Sequence, residues 1–248
     1  MSSSAPSRSV GSIDIELPGA RVAFSTRNGG VSEGPYASLN LGILTDDEPE
    51  RVVENRRRLA WSAGLEPDRV AMSWQVHGTE VLEWPSPPEV GAYATPGAPL
   101  PRADGHTTTL EGVGLLVLAA DCLPVALASP HRVAMVHGGW RGLAQGVLER
   151  ALERFEEGPV SAAVGPGIGP CCYEVGAEVL DAFADLPGVS SGRMLDLKAV
   201  ARRRLEAAGV GRVEDVGLCT SCHPELFFSH RRDRGVTGRQ GGLVWRTG

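Results

Sequence analysis

The stretch 112–129, GVGLLVLAADCLPVALAS, decides the fold. It is apolar for most of its length, but Asp121 and Pro124 interrupt it near the middle. A membrane helix tolerates such a break poorly, because hydrocarbon offers no partner for a charge or a freed carbonyl. The run therefore reads as two buried strands, 113–120 and 125–128, joined by a tight turn. The first is almost continuously apolar, as a strand covered on both faces must be.

Working outward, 132–137 (RVAMVH) predicts a third strand, so this group forms the centre of a sheet. Upstream, 70–76 and 80–84 are strand-like and separated by His77-Gly78-Thr79, which predicts a hairpin with His77 at its tip. Residues 21–26 alternate as a strand into Asn28-Gly29-Gly30, and a glycine and serine loop then runs to Ser38-Leu39-Asn40-Leu41-Gly42. A helix is expected over 49–64, with Pro49 in its first turn, Val52, Val53, Leu59 and Ala60 at helical spacing, and a glycine stop. The proline-rich 85–101 reads as a surface loop. A second helix starts near Gly142, with Leu143, Val147, Ala151 and Phe155 on one face. A third spans 196–208, with Leu197, Val200, Ala201, Leu205 and Ala208 inward, and further strands fall near Ala162, Val216 and Leu243. Grouped strands with irregularly placed helices predict a layered α+β domain rather than an alternating parallel sheet.

A chain of 248 residues, 42% hydrophobic and 22% charged, suits one core. We expect a disordered tail over 1–12 and a single catalytic domain over 13–248. The net charge of -6 gives no footprint for nucleic acid, and Arg202-Arg203-Arg204 reads as a solvated helix face. Residues 1–11 lack the apolar core of a signal peptide, and no run spans a membrane, so the expected location is the cytoplasm. No interface pattern stands out, and a monomer is expected. Five cysteines are then thiols, ligands or nucleophiles rather than a disulfide framework.

Metal-capable side chains stand where strands end, in Gln75-Val76-His77-Gly78, Ala120-Asp121-Cys122-Leu123-Pro124 and Val136-His137-Gly138-Gly139-Trp140-Arg141. His77, Cys122 and His137 would supply three borderline-soft ligands and leave a fourth position open, as catalytic zinc sites do, with Asp121 orienting a ligand from behind. Spacing alone leaves the alternative that they are unrelated core and turn residues. A further alternative makes Cys122 a nucleophile and His137 its base, giving an amidase or deamidase. Arg27 and Arg141, each beside glycines, could hold an anion such as phosphate. Gln75 and Asn40 carry amides suited to a purine edge or a ribose hydroxyl, or to closing their own turns. Cys219-Thr220-Ser221-Cys222-His223 has the pattern of covalent haem attachment, which needs export; a second metal site with His230 or a structural thiol are the other readings. Adjacent Cys171 and Cys172 read as packing residues, and Gly165-Pro166-Gly167 as a tight turn.

Several motifs in order, Ser25-Thr26-Arg27-Asn28-Gly29-Gly30, Ser38-Leu39-Asn40-Leu41-Gly42, Ala120-Asp121-Cys122-Leu123-Pro124, His137-Gly138-Gly139-Trp140-Arg141-Gly142 and Phe227-Phe228-Ser229-His230-Arg231, are similar to those of one family. It was first described as multicopper polyphenol oxidases and is now regarded as purine nucleoside phosphorylases with adenosine deaminase activity. The resemblance implies a layered α/β/β sandwich with mixed β-sheets, similar to cysteine-dependent toxin deamidases. It also implies zinc on His77, Cys122 and His137, and substrates that are purine nucleosides (adenosine, inosine, guanosine or methylthioadenosine) and phosphate. For relatives, editing of peptidoglycan precursors is the amidase alternative. Copper-dependent phenol oxidation would need more histidines than the six present. Three positions depart from the family pattern: Gly105 and Gly138 stand where alanine is usual, and His230 where tyrosine is.

Overall fold

Two large sheets share eleven of the thirteen strands described, and the chain passes between them more than once. The computed structural model describes residues 10–88, 99–156 and 158–247. In chain order the strands are β1 (Ser12–Leu17), β2 (Ala20–Ser25), β3 (Val70–Ala71), β4 (Val81–Glu83), β5 (Gly105–Thr108), β6 (Gly114–Ala119), β7 (Leu123–Ala128), β8 (Val133–Gly138), β9 (Ser161–Val164), β10 (Ser190–Ser191), β11 (Met194–Leu195), β12 (Arg212–Asp215) and β13 (Gln240–Arg246). The helices are α1 (Pro49–Ser62), α2 (Trp140–Ala144), α3 (Val147–Leu152), α4 (Ala177–Asp181) and α5 (Leu197–Ala207).

A five-stranded sheet has the order β1-β2-β13-β6-β3 and a six-stranded sheet the order β12-β9-β7-β8-β5-β4, while β10 and β11 pair alone. Both large sheets are mixed: β3 joins β6 in parallel beside antiparallel neighbours, and β12–β9 and β4–β5 are parallel pairs flanking antiparallel ones. The chain is thus a single-domain α+β fold. One core lies between the sheets and includes Phe24, Val117, Ala126, Val133, Met135 and Ala163. The sheets approach closely where β13 crosses the start of β7: a Cβ on Gly242 would fall 2.5 Å from Pro124. A second core joins the outer face of the six-stranded sheet to α3 and α5, through Val125, Leu127, Leu148, Ala201 and Leu205. A third, with Leu39, Leu41, Leu59, Leu116 and Leu243, seats α1 on the far face of the five-stranded sheet.

The central stretch folds as two strands and a turn, but those strands enter different sheets: β6 lies in the five-stranded sheet and β7 in the other. The expected hairpin at His77 does not form. β3 pairs β6 while β4 pairs β5, so His77-Gly78-Thr79 is a crossover between sheets. Period and turn residues reveal a reversal but not which sheet receives each arm. The helix expected from Gly142 is broken by Gly146 at φ 87, giving α2 and α3. Ala208 lies past the end of α5 and is exposed. Hydrogen-bonded structure also reaches into the stretch read as tail: β1 begins at Ser12, and Gly11 N–H donates to the Asn28 carbonyl at 3.2 Å. Most of the 85–101 loop lies outside the described residues.

Candidate metal centre and its cavity

The two crossovers deliver two candidate ligands and β8 the third. His77 sits between β3 and β4, Cys122 between β6 and β7, and His137 near the end of β8. Their ligand atoms lie within 4.8 Å of one another. His77 Nε2 is 3.9 Å from Cys122 Sγ, and the two imidazoles meet edge to face with centroids 4.8 Å apart. A tetrahedral zinc site with ordinary bond lengths separates nitrogen and sulfur ligands by about 3.6 Å. The donor set and its spacing therefore fit such an ion.

Asp104 organises this arrangement. Its carboxylate accepts from the backbone N–H of Val76 (3.0 Å), His77 (2.9 Å) and Gly78 (2.7 Å), and pairs with His137 Nδ1 at 2.8 Å. His77 has φ 61, and this left-handed turn lets three successive N–H groups converge on one carboxylate. With Nδ1 of His137 engaged by Asp104, its Nε2 is the nitrogen left for a ligand bond, the usual role of a carboxylate behind a metal-binding histidine. Sequence reading gave that role to Asp121. Asp121 instead accepts from Thr220 Oγ1 at 2.6 Å and from Arg231 N–H at 2.7 Å, tying the C-terminal segment to the Cys122 turn. Only membership of the motif Ala103-Asp104-Gly105 pointed to Asp104.

The electrostatics follow. Burial raises the Cys122 thiol, but the His137 and His77 imidazoles outweigh it and bring the thiol down to about 6. Burial lowers His137, yet the Cys122 thiolate and the Asp104 carboxylate carry it up to about 9. Burial raises Asp104, and its bonds to His137 and the backbone hold it below the usual carboxylate range. The metal-free site is thus a thiolate and an imidazolium backed by a carboxylate. Gly139 closes against it: a Cβ there would stand 2.7 Å from His77 Cδ2 and 3.4 Å from Cys122 Sγ.

The three ligands line a cavity of about 550 Å³. Trp74, Trp140 and Tyr173 give it flat apolar walls, and Arg141, Arg231 and Arg239 bring guanidinium groups. Arg141 stacks on Trp140 at 4.3 Å and Arg231 on Tyr173 at 5.2 Å. Gln75 also lines it, but its amide bonds both ways with Leu118, donating at 2.8 Å and accepting at 2.7 Å. The structure does not bring Arg27 or Asn40 to the cavity. Arg27 donates to the carbonyls of Ala37 and Pro224 and stacks on Phe228. Buried Asn40 donates to Asp47 at 2.9 Å and accepts from the N–H groups of Gly42 and Arg239, so it closes its own loop and seats Arg239. His230, one of the three positions expected to depart from the family pattern, lies on the cavity wall with Arg231 and Arg239, which sequence reading did not place there.

Residues 21–247 match the family model described as multi-copper polyphenol oxidoreductase laccase. The chain belongs to this family. A purine nucleoside phosphorylase, YfiH, of Shigella flexneri is 40% identical over 92% of this chain and 94% of its own length. Purine nucleoside phosphorylase PA4543 of Pseudomonas aeruginosa is 42% identical over 91% of this chain and 93% of its own. Among solved structures, YlmD from Geobacillus stearothermophilus superposes with a TM-score of 0.86 at 36% identity, covering 96% of this chain and 97% of that one. His106 is buried between Ser73 and Trp84, His223 pairs with Glu225, and among the described residues only His77 and His137 share a metal-capable group. No helix among the described residues is long and apolar enough to cross a membrane.

Proposed function

We propose that this family member is a zinc-dependent purine nucleoside phosphorylase that also deaminates adenosine at the same site. The observation that carries the reading is the convergence of two imidazoles and one thiol on the floor of a cavity that also holds three guanidinium groups and three aromatic walls. The relatives' names supply the substrate class. Adenosine, inosine, guanosine and methylthioadenosine are the candidate nucleosides, and the cytoplasm is the proposed location of a monomeric enzyme.

In phosphorolysis, a phosphate oxygen bonds to the ribose anomeric carbon as the bond to the base nitrogen breaks and its electron pair passes to the base. Arg141, Arg231 and Arg239 would hold and orient the anion, a role worth much of the barrier when the geometry is right. Arg27 drops out of that role because it does not line the cavity. Trp74, Trp140 and Tyr173 offer faces on which a purine can stack and from which water is displaced. His77, Cys122 and His137 would hold zinc, which supplies Lewis acidity and lowers the pKa of water for the deamination. The purified enzyme, given a nucleoside panel with and without phosphate, is expected to release base only with phosphate. Base release indifferent to phosphate rules out phosphorolysis, and a His77→Ala variant that loses neither one equivalent of zinc nor activity removes the metal site.

A second reading has a specific observation behind it. Cys122, His137 and Asp104 lie in the order thiolate, imidazolium, carboxylate, as an amidase or deamidase acting on peptidoglycan precursors would need. Against it stands His77, a second imidazole on the same sulfur that a nucleophile does not require and a metal ligand set does. Activity that survives zinc removal and is lost on alkylation of Cys122 would favour the amidase.

A further inference from the structure

Two loops behind the cavity wall carry the other four cysteines. The first turns back on itself at Gly169-Pro170-Cys171-Cys172, with the N–H groups of Cys172 and Tyr173 both donating to the Gly169 carbonyl at 3.0 Å. The second, Cys219-Thr220-Ser221-Cys222, follows β12 and is fastened to the first loop's stem, Thr220 N–H donating to the Gly167 carbonyl at 3.1 Å. The four sulfurs lie within 4.8 Å of one another. Cys222 Sγ is 3.4 Å from Cys171 Sγ and 3.5 Å from Cys172 Sγ. Adjacent cysteines in an extended strand point to opposite sides. The turn at Gly169 removes that obstacle, and Cys171 and Cys172, read from sequence as packing residues, both bring their sulfurs to Cys222. His223, by contrast, turns to Glu225 at 3.1 Å, and His230 faces the cavity, so neither joins the group.

We propose that Cys171, Cys172, Cys219 and Cys222 form a second metal site, a closed tetrathiolate centre for a divalent cation of the zinc class. In a tetrahedron with zinc–sulfur bonds of about 2.3 Å, the sulfurs stand about 3.8 Å apart; Cys222 Sγ stands slightly closer than this to two partners, and all four sulfurs lie within 4.8 Å. Disulfide pairing accounts for the geometry less well, because Cys222 is almost equally near two partners and two thiols would still crowd the resulting bridge. The Cys219 position suits a thiolate, since Gly169 N–H donates to its Sγ at 3.2 Å. Cys171 and Cys222 are exposed, so an ion has a way in. Four sulfurs complete the coordination and leave no position for substrate, the mark of a structural rather than a catalytic ion. Binding replaces thiol protons with metal–sulfur bonds and releases those protons to solvent. Its consequence reaches the cavity, since Tyr173 follows Cys172 directly and Thr220 donates to Asp121 beside Cys122.

The test separates the two centres. Wild-type protein loaded with zinc and freed of excess is expected to hold about two ions per chain, one at each centre. His77→Ala should keep one, Cys222→Ser should keep the other, and the double variant should hold none. Because Cys222 is exposed, its serine variant should fold, which far-ultraviolet circular dichroism checks. In the His77→Ala background, cobalt in place of zinc should give the intense sulfur-to-metal charge-transfer bands of several thiolates. Chelator should then lower the melting temperature and expose four thiols to alkylation. A His77→Ala protein that takes up no added zinc overturns the proposal, as does intact-mass evidence that these cysteines are joined in disulfides in freshly purified protein.

Discussion

Replacing Asp104 with asparagine tests whether one carboxylate builds the metal centre. The side chain is fully buried and accepts four hydrogen bonds, two on each oxygen. Asparagine keeps one of those oxygens and turns an NH₂ group toward two donors. Each buried donor left unsatisfied costs about 1–3 kcal/mol, so the loss should be roughly 4 kcal/mol for two. The substitution also releases either the His77 turn or the His137 tautomer, and loss of such a carboxylate typically weakens metal binding about 10- to 100-fold. Denaturant unfolding of the metal-free proteins measures the first effect, and competition for zinc with a chromophoric chelator measures the second. Asp121→Asn tests the other crossover: it costs one of the bonds to Thr220 and Arg231 but leaves the carboxylate behind His137 in place, so zinc affinity should fall less than in Asp104→Asn. If Asp104→Asn binds zinc as tightly as wild type and loses less than about 1 kcal/mol, the assignment of Asp104 as the positioning group fails.

Gly139→Ala should lower zinc affinity and activity together, because its Cβ would press on His77 and Cys122; unchanged zinc titration would count against the close contact. Arg239→Met should raise KM for phosphate at least about tenfold if it holds the anion, whereas Arg27→Met should act on melting temperature instead, and steady-state kinetics on both decides between them. Burial holds His106 down to about 4 against an ordinary 6.5, so between those values the unfolded chain takes up a proton that the folded chain refuses and stability falls as pH drops. The loss should reach about 3 kcal/mol near pH 4, and urea midpoints of metal-free His106→Gln, which keeps an acceptor for Trp84, should lack that slope.

Sequence reading located the candidate ligands, which the fold brings together, because strand ends and turns are local features. The break at Asp121 and Pro124 put Cys122 at the mouth of a turn, and the apolar run into His137 put it at the end of β8. The ligands' partners are not local. Asp104 reaches Val76, His77 and Gly78 only because β5 lies beside β8 and the His77 crossover passes over both. The hairpin expectation at His77 failed for the same reason: a reversal of direction is written in the turn, but the choice of sheet is made by the cores on either side. Arg27 and Arg141 look alike in sequence, each an arginine beside glycines. One is consumed by the carbonyls of Ala37 and Pro224, and the other is free to stack on Trp140 at the cavity.

Two of the three non-glycine residues with positive φ among those described are His77 at 61° and Asp121 at 95°, one on each crossover that carries a ligand. Such backbone costs on the order of 1–3 kcal/mol per residue and persists only where the surroundings over-determine it. At His77 the determining group is the Asp104 carboxylate. At Asp121 it is the residue's own carboxylate, held by Thr220 and Arg231. The two crossovers are therefore fixed by different parts of the chain, one by the six-stranded sheet and one by the C-terminal segment. Thr220 lies inside the turn bounded by Cys219 and Cys222, so an ion on the four cysteines would stiffen the anchor of Asp121 and, through it, the place of the Cys122 sulfur. On this account the two centres are linked mechanically, through Thr220 and Tyr173, but share no ligand. Loss of the cysteine cluster should then loosen the catalytic centre without emptying it.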